Sequence, residues 1–152
     1  MSDLYDVKLL TRLPDDEPFS QGRMTIRLND LGDPITVTGA PALEQDILKA
    51  IFTGNQPDGY GTFIHGALGV KNTVAKRAGI MYSIMASLKR LLQVHAAQSS
   101  LLPTYFKGAR VFAGIGSLRV SVPDSTSVSV SLEAYTNADE IIAANAVARI
   151  QR

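Results

Sequence analysis

The stretch from Ala40 to Asn72, APALEQDILKAIFTGNQPDGYGTFIHGALGVKN, limits the fold more than any other part of this chain. It opens as a short amphipathic helix and closes in a run of glycines and prolines too dense for regular structure. Pro41 suits the first helical position, where its missing N–H has no partner to lose, and Gly39 and Gly54 mark the two ends. Leu43, Ile47, Ala50 and Ile51 fall on one face, with Glu44, Gln45 and Lys49 turned away. Beyond the helix, Gly54-Asn-Gln-Pro57-Asp-Gly59-Tyr-Gly61 must turn repeatedly, and Thr62 to Gly69 leaves room for about one or two helical turns. A packed corner is expected here, without a convergent set of catalytic groups.

Short strands are expected before that corner and one long helix after it. Residues 4 to 10 alternate with Tyr5, Val7 and Leu9 on one side, which suits a strand. Pro14-Asp-Asp-Glu-Pro18 is an acidic turn between prolines. Its consecutive side chains diverge and no glycine-punctuated ligand loop surrounds them, so a solvated loop is expected. Met24, Ile26 and Leu28 alternate with Thr25, Arg27 and Asn29, and Ile35-Thr36-Val37 follows the turn Leu31-Gly32-Asp33-Pro34, as in two short antiparallel strands. The long helix is expected from Thr73 to about Ala97, with Asn72 or Thr73 as its cap. Val74, Ala78, Met81, Met85, Leu88 and Leu92 form an apolar stripe opposite Lys76, Ser83, Ser87 and Arg90, and this stripe is expected to support the core. Its two methionines also suit an adaptable binding groove, a rarer use than core filling.

After Pro103 the pattern becomes β. Val111, Ala113 and Ile115 alternate, then Leu118, Val120 and Val122, and the change of phase at Gly114-Ile-Gly116 predicts a bulge. Pro123-Asp124-Ser125 turns the chain. Val128, Val130, Leu132 and Ala134 return facing inward, with Ser127, Ser129, Ser131 and Glu133 outward, as in an antiparallel hairpin that the long helix covers on one side. The tail reads two ways. Asn137-Ala-Asp139-Glu140 before an alanine-rich run suits a helix with an acidic first turn, whereas Ala144, Ala146, Ala148 and Ile150 alternate with Asn145, Val147 and Arg149 as a strand would.

Composition narrows the function classes. A chain of 152 residues, 45% hydrophobic and 19% charged, suits one α+β domain with a single core: N-terminal strands over 1–38, a helical middle over 39–98 and a β region over 108–152. A net charge of +1 gives no footprint for nucleic acid or an anionic membrane, and the lack of cysteine excludes disulfides, thiolate metal sites and cysteine nucleophiles. Met1-Ser-Asp-Leu-Tyr-Asp lacks a basic leader and no apolar run reaches about 18 residues, so a soluble product made in the cytoplasm is expected. Neither His65 nor His95 has a second ligand at helical spacing, there is no Gly-x-Ser-x-Gly elbow, and Gly114-Ile-Gly116-Ser117 lacks the rest of a phosphate loop. No cofactor, metal or catalytic set is expected. A glycosidase would need two carboxyl groups across a cleft, and Glu44 and Asp46, two residues apart on a helix, diverge by about 200°. Asp58 lies among the turns, and Glu133 is on the polar face of a strand.

Helix, Thr53-Gly54, a proline and glycine loop, Tyr60-Gly61-Thr62, an apolar turn and Leu68-Gly69 together resemble the baseplate-wedge, or sheath-initiator, family of contractile-tailed phages. That family also occurs in type VI secretion baseplates, often under a lysozyme-like label. The likeness covers Thr36 to His95 well and the rest by order of elements. Where many members carry Glu-Pro-Arg after the long helix, this chain reads Leu102-Pro103-Thr104. The resemblance implies a structural subunit of the virion tail, present in several copies in a six-fold baseplate and not an enzyme. Its partners would be other wedge proteins and sheath subunits, with tube or hub proteins as further neighbours. It implies a third C-terminal strand that acts as an arm, which tips the tail toward strand, with Ile142, Ala144, Ala146, Ala148 and Ile150 on the pairing segment. Leu43, Ile47, Tyr60, Gly61, Phe63, Leu68 and Gly69 would fix the corner. The alternatives are a peptidoglycan-cleaving glycosidase and a tail-completion protein elsewhere in the tail.

Overall fold

The computed structural model describes residues 6–7, 9–10, 25–26, 28–71, 73–104 and 106–149. Four two-residue strands come first: β1 (Asp6–Val7), β2 (Leu9–Leu10), β3 (Thr25–Ile26) and β4 (Thr36–Val37). Helices α1 (Gly39–Phe52), α2 (Ile64–Ala67) and α3 (Val74–Leu101) follow, then a 3-10 turn (Gly108–Arg110). The chain ends in β5 (Phe112–Asp124), β6 (Ser127–Thr136) and β7 (Ile141–Arg149). The last three form one antiparallel sheet in the order β5-β6-β7, so the fold is α+β with one long helix, as expected.

The N-terminal strands pair antiparallel, β1 with β4 and β2 with β3. Leu28 and Pro34 form a bridge around a tight turn, where the Asn29 Oδ1 accepts from the N–H groups of Leu31 (2.9 Å) and Asp33 (3.0 Å). The acidic Pro14–Pro18 turn, Tyr5 and Met24 lie outside the described residues.

Helix α1 buries Leu43, Ile47, Ala50 and Ile51, as the periodicity indicates. It also buries Ala42, Leu48, Phe52 and, against expectation, Gln45, which is only 6% exposed. The reason is position: α1 packs at once on α3, on β7 and on the 3-10 turn, so a single apolar face does not describe it. It starts at Gly39, two residues ahead of Pro41, in the left-handed conformation that glycine tolerates (φ 61°).

Helix α3 holds the largest correction. Thr73 caps it as expected, its Oγ1 accepting from the Lys76 N–H at 3.0 Å, and it runs a turn past Ala97 to Leu101. Its buried face, however, is Ile80, Ser83, Ile84, Ser87, Leu88, Leu91 and His95. Val74, Ala78 and Met85 are exposed, Met81 and Leu92 are partly buried, and only Leu88 belongs fully to both faces. The helix is turned by about 100°, one residue step, from the orientation hydropathy favours. Two serines cause this. Small side chains let α1 and the glycine corner come close to α3, and their hydroxyls answer backbone groups that would otherwise be buried unpaired.

The sheet follows its pattern more closely. Val128, Val130, Leu132 and Ala134 are buried against the helices, while Ser131 and Glu133 face outward. Ser127 joins the buried set because it closes the turn, its hydroxyl donating to Asp124 Oδ1 at 3.2 Å. Register shifts fall between Phe112 and Gly114 and between Ile115 and Ser117, which is the bulge that the glycines predict. The first of these exposes Ala113 and turns Phe112 inward instead. The tail is a strand: Asp139 adopts φ 57°, Thr136 N–H donates to Glu140 O at 3.0 Å, and the chain returns along β6 instead of starting a helix.

The turned face of α3 makes a sharp contrast between neighbours. Ile84→Ala is expected to cost about 2–5 kcal/mol in urea unfolding, and Met85→Ala less than about 1 kcal/mol. Equal losses at the two positions would contradict this orientation.

Candidate functional site

Buried hydroxyls hold the glycine corner, that of Ser87 at its centre. Ser87 Oγ donates to Ala50 O (2.8 Å) and accepts from Gly61 N–H (2.8 Å), which joins the end of α1, the corner and α3 at a single point. Thr62 adds two bonds, from its N–H to Thr53 O (2.8 Å) and from its Oγ1 to Ile51 O (2.5 Å), and forms a parallel bridge with Gly54. His65 Nε2 donates to Phe52 O at 2.9 Å. Gly61 is required twice over: its φ is +89°, and a Cβ there would lie 2.2 Å from Gly54 O. Gly69, at φ 82°, donates its N–H to Ser125 O (2.6 Å) and so ties the corner to the β5–β6 turn.

The expected corner residues divide accordingly. Leu43 and Ile47 are fully buried, and Tyr60 and Leu68 are half-buried against the core. Phe63 differs: its side chain is 59% exposed, and only its backbone contributes, through an N–H to Ser83 Oγ at 3.4 Å.

A second cluster escaped the sequence reading, because its members are far apart in the chain. Asp46 Oδ2 accepts from Arg110 Nη1 (2.6 Å) and from His95 Nε2 (3.1 Å), and Oδ1 lies 3.3 Å from Lys49 Nζ. Phe112 N–H donates to His95 Nδ1 at 3.0 Å, which fixes the proton on Nε2, where it points at Asp46. Phe106 seals the site, edge-on to His95 and under the Arg110 guanidinium, at 4.9 Å in each case. The signal in the sequence was slight: Asp46 borders the apolar face of α1, and His95 follows Leu88 and Leu91 at helical spacing.

Burial raises the Asp46 carboxyl, but hydrogen bonds from His95 and Arg110 and the charges of Arg110 and Lys49 outweigh it and bring the pKa down to about 2. Both nitrogens of His95 are engaged in hydrogen bonds within the fold. An open cleft of about 360 Å³ lies beside the cluster, lined by Asp46, Lys49, Asp58, Tyr60, Arg90 and His95 among others. Its charges are paired within it, Asp58 with Arg90 at 3.3 Å and Asp46 with Lys49. Glu44, raised by burial, is on the exposed side of α1, so it does not share a cleft with Asp46. Glu133 is exposed on the outer face of β6. Among the described residues no three His, Cys, Asp or Glu side chains form a metal-binding group, and no helix is long and apolar enough to cross a membrane.

The third region is the edge strand β7. It pairs with β6 from Ser127↔Arg149 to Tyr135↔Ile141 and is the last strand of the sheet. Ala144 and Ala148 are buried in the core and Ile142 and Ala146 are partly buried, so on this segment the backbone edge is what remains to offer. Ile150 lies outside the described residues. Comparison with family models, with curated proteins and with solved structures finds no match for this chain.

The Asp46 cluster sets a pH dependence. The folded pKa (about 2) is below the unfolded value of about 3.9, so its stabilisation is full above about pH 4 and is lost as pH falls through about 2. Asp46→Asn is expected to lower stability at neutral pH by about 2 kcal/mol or more and to flatten the acid limb of stability against pH; an unchanged acid limb would contradict the assignment.

Proposed function

We propose that this chain is a structural subunit of the tail baseplate of a contractile phage, bridging wedge proteins and starting the sheath by strand pairing at its C-terminal end. It would lie in the virion, in several copies around a six-fold axis, with wedge proteins and sheath subunits as neighbours and tube or hub proteins nearby. The observation that carries the reading is β7, a nine-residue strand with β6 on one side and, among the described residues, no strand of the sheet on the other. An edge of small residues suits β-augmentation, in which main-chain hydrogen bonds give affinity and side chains need little room. Tyr135 and Ile141, opposite each other at the hairpin end, are both exposed and extend that edge with apolar surface. The corner motif gives further support, since Gly61 and Gly69 each occupy a backbone position that demands glycine.

Removing the tail would not isolate this role, because Ala144 and Ala148 are core residues. The cleaner variant is Ala143→Lys with Asn145→Lys, both on the exposed face of β7. Lysines of this kind blunt an edge strand while the core side is left intact. Baseplates carrying the variant are expected to keep the subunit but to nucleate sheath poorly when viewed by negative-stain microscopy. Normal sheath on those baseplates would contradict the arm's role.

A further inference from the structure

Val74, Ala78 and Met85, half of the stripe that the hydropathy pattern assigns to the core, are exposed on α3 and share that face with Tyr82. Val74 and Tyr82 are 76% and 77% exposed and Met85 is 52% exposed, with exposed Ala78 between them. These residues are four, four and three positions apart, so they form one ridge about 16 Å long. A ridge of exposed apolar side chains of this kind marks a contact site more often than a single exposed residue does.

Charge identifies the occupant. From Val74 to Leu101 the helix carries Lys76, Arg77, Lys89, Arg90 and His95 and no carboxylate. Lys76 bonds to the Val70 carbonyl and Arg90 to Asp58, whereas Arg77 and Lys89 have no acid beside them among the described residues. Helical geometry puts Arg77 about 60° to one side of the ridge and Lys89 in line with it, about one turn beyond Met85, so the two cations are about 18 Å apart along the axis. A second copy docked helix to helix would bring only cations to the seam.

We propose that the outer face of α3 binds an acidic amphipathic helix of a partner protein. Its apolar residues lie over Val74, Ala78, Tyr82 and Met85, and its carboxylates meet Arg77 and Lys89. Ala78 lets the two backbones approach, and Met85 adapts to the incoming side chains. This face is on α3, not on the β7 edge, and its role does not depend on the baseplate reading.

The test uses the full chain and labelled synthetic peptides of about 18 residues, with leucines at helical spacing and flanks of glutamate, glutamine or lysine. Fluorescence anisotropy is expected to rank them glutamate, glutamine, lysine, with about tenfold or more between the extremes at low salt and less at high salt. Tyr82→Ser and Met85→Ser are expected to weaken the glutamate peptide by about tenfold each while the thermal midpoint holds. Arg77→Glu with Lys89→Glu should reverse the ranking, a gain that misfolding cannot produce. Three peptides bound alike, no binding of the glutamate peptide, or binding indifferent to Tyr82→Ser would overturn the proposal. So would a dimer in sedimentation that Tyr82→Ser abolishes, since the occupant would then be a second copy.

Discussion

The Ser87 hydroxyl, fully buried, is the point on which the helical half of the molecule turns. It is a donor to the last turn of α1 and an acceptor from the corner, so three backbone segments meet where a larger side chain would keep them apart. A buried amide or carbonyl left without a partner costs about 1–3 kcal/mol, and one serine answers two such groups. Because Ser87 must face inward, α3 is fixed in rotation. Ile84, Leu88 and Leu91 then fill the core and Val74, Tyr82 and Met85 face out.

The Asp46 cluster repeats the principle two turns further along α3, at His95. His95 accepts from the first amide of β5 and donates to α1, and Arg110 reaches the same carboxylate from the 3-10 turn. Helices and sheet are thereby joined by directional bonds at a place where apolar packing alone would not set the angle between them. The residues that look most like chemistry are the ones most fully committed to architecture. Among the described residues, the hairpin pair Tyr135 and Ile141 and the outer face of α3 are exposed, and β7 is the edge of its sheet.

Much of this was legible in the sequence, for physical reasons. Leu43, Ile47, Ala50 and Ile51 follow one helical period, Thr73 has the side chain an N-cap needs, and Gly114 and Gly116 stand where alternation changes phase. These are local signals, written within a few residues. The rotation of α3 was not legible, because the buried serines are chosen by backbone groups of the corner, 37 residues away in the case of Ala50. Asp46 meets His95 and Arg110 across 49 and 64 residues, and no pattern within a single element announces such a meeting. The tail stayed balanced between helix and strand until its pairing with β6 was known, since nine cross-strand positions outweigh a modest helix propensity.

The account stands or falls on whether the corner and α3 form one unit, and native-state hydrogen exchange of the Gly61 amide tests this most directly. Although it sits in a loop, that amide should exchange only on global unfolding, with the same free energy as the Ile84 and Leu88 amides of α3. Exchange of Gly61 as fast as an exposed loop amide, with α3 still protected, would show that the corner opens independently, and the fixed orientation of α3 would lose its cause.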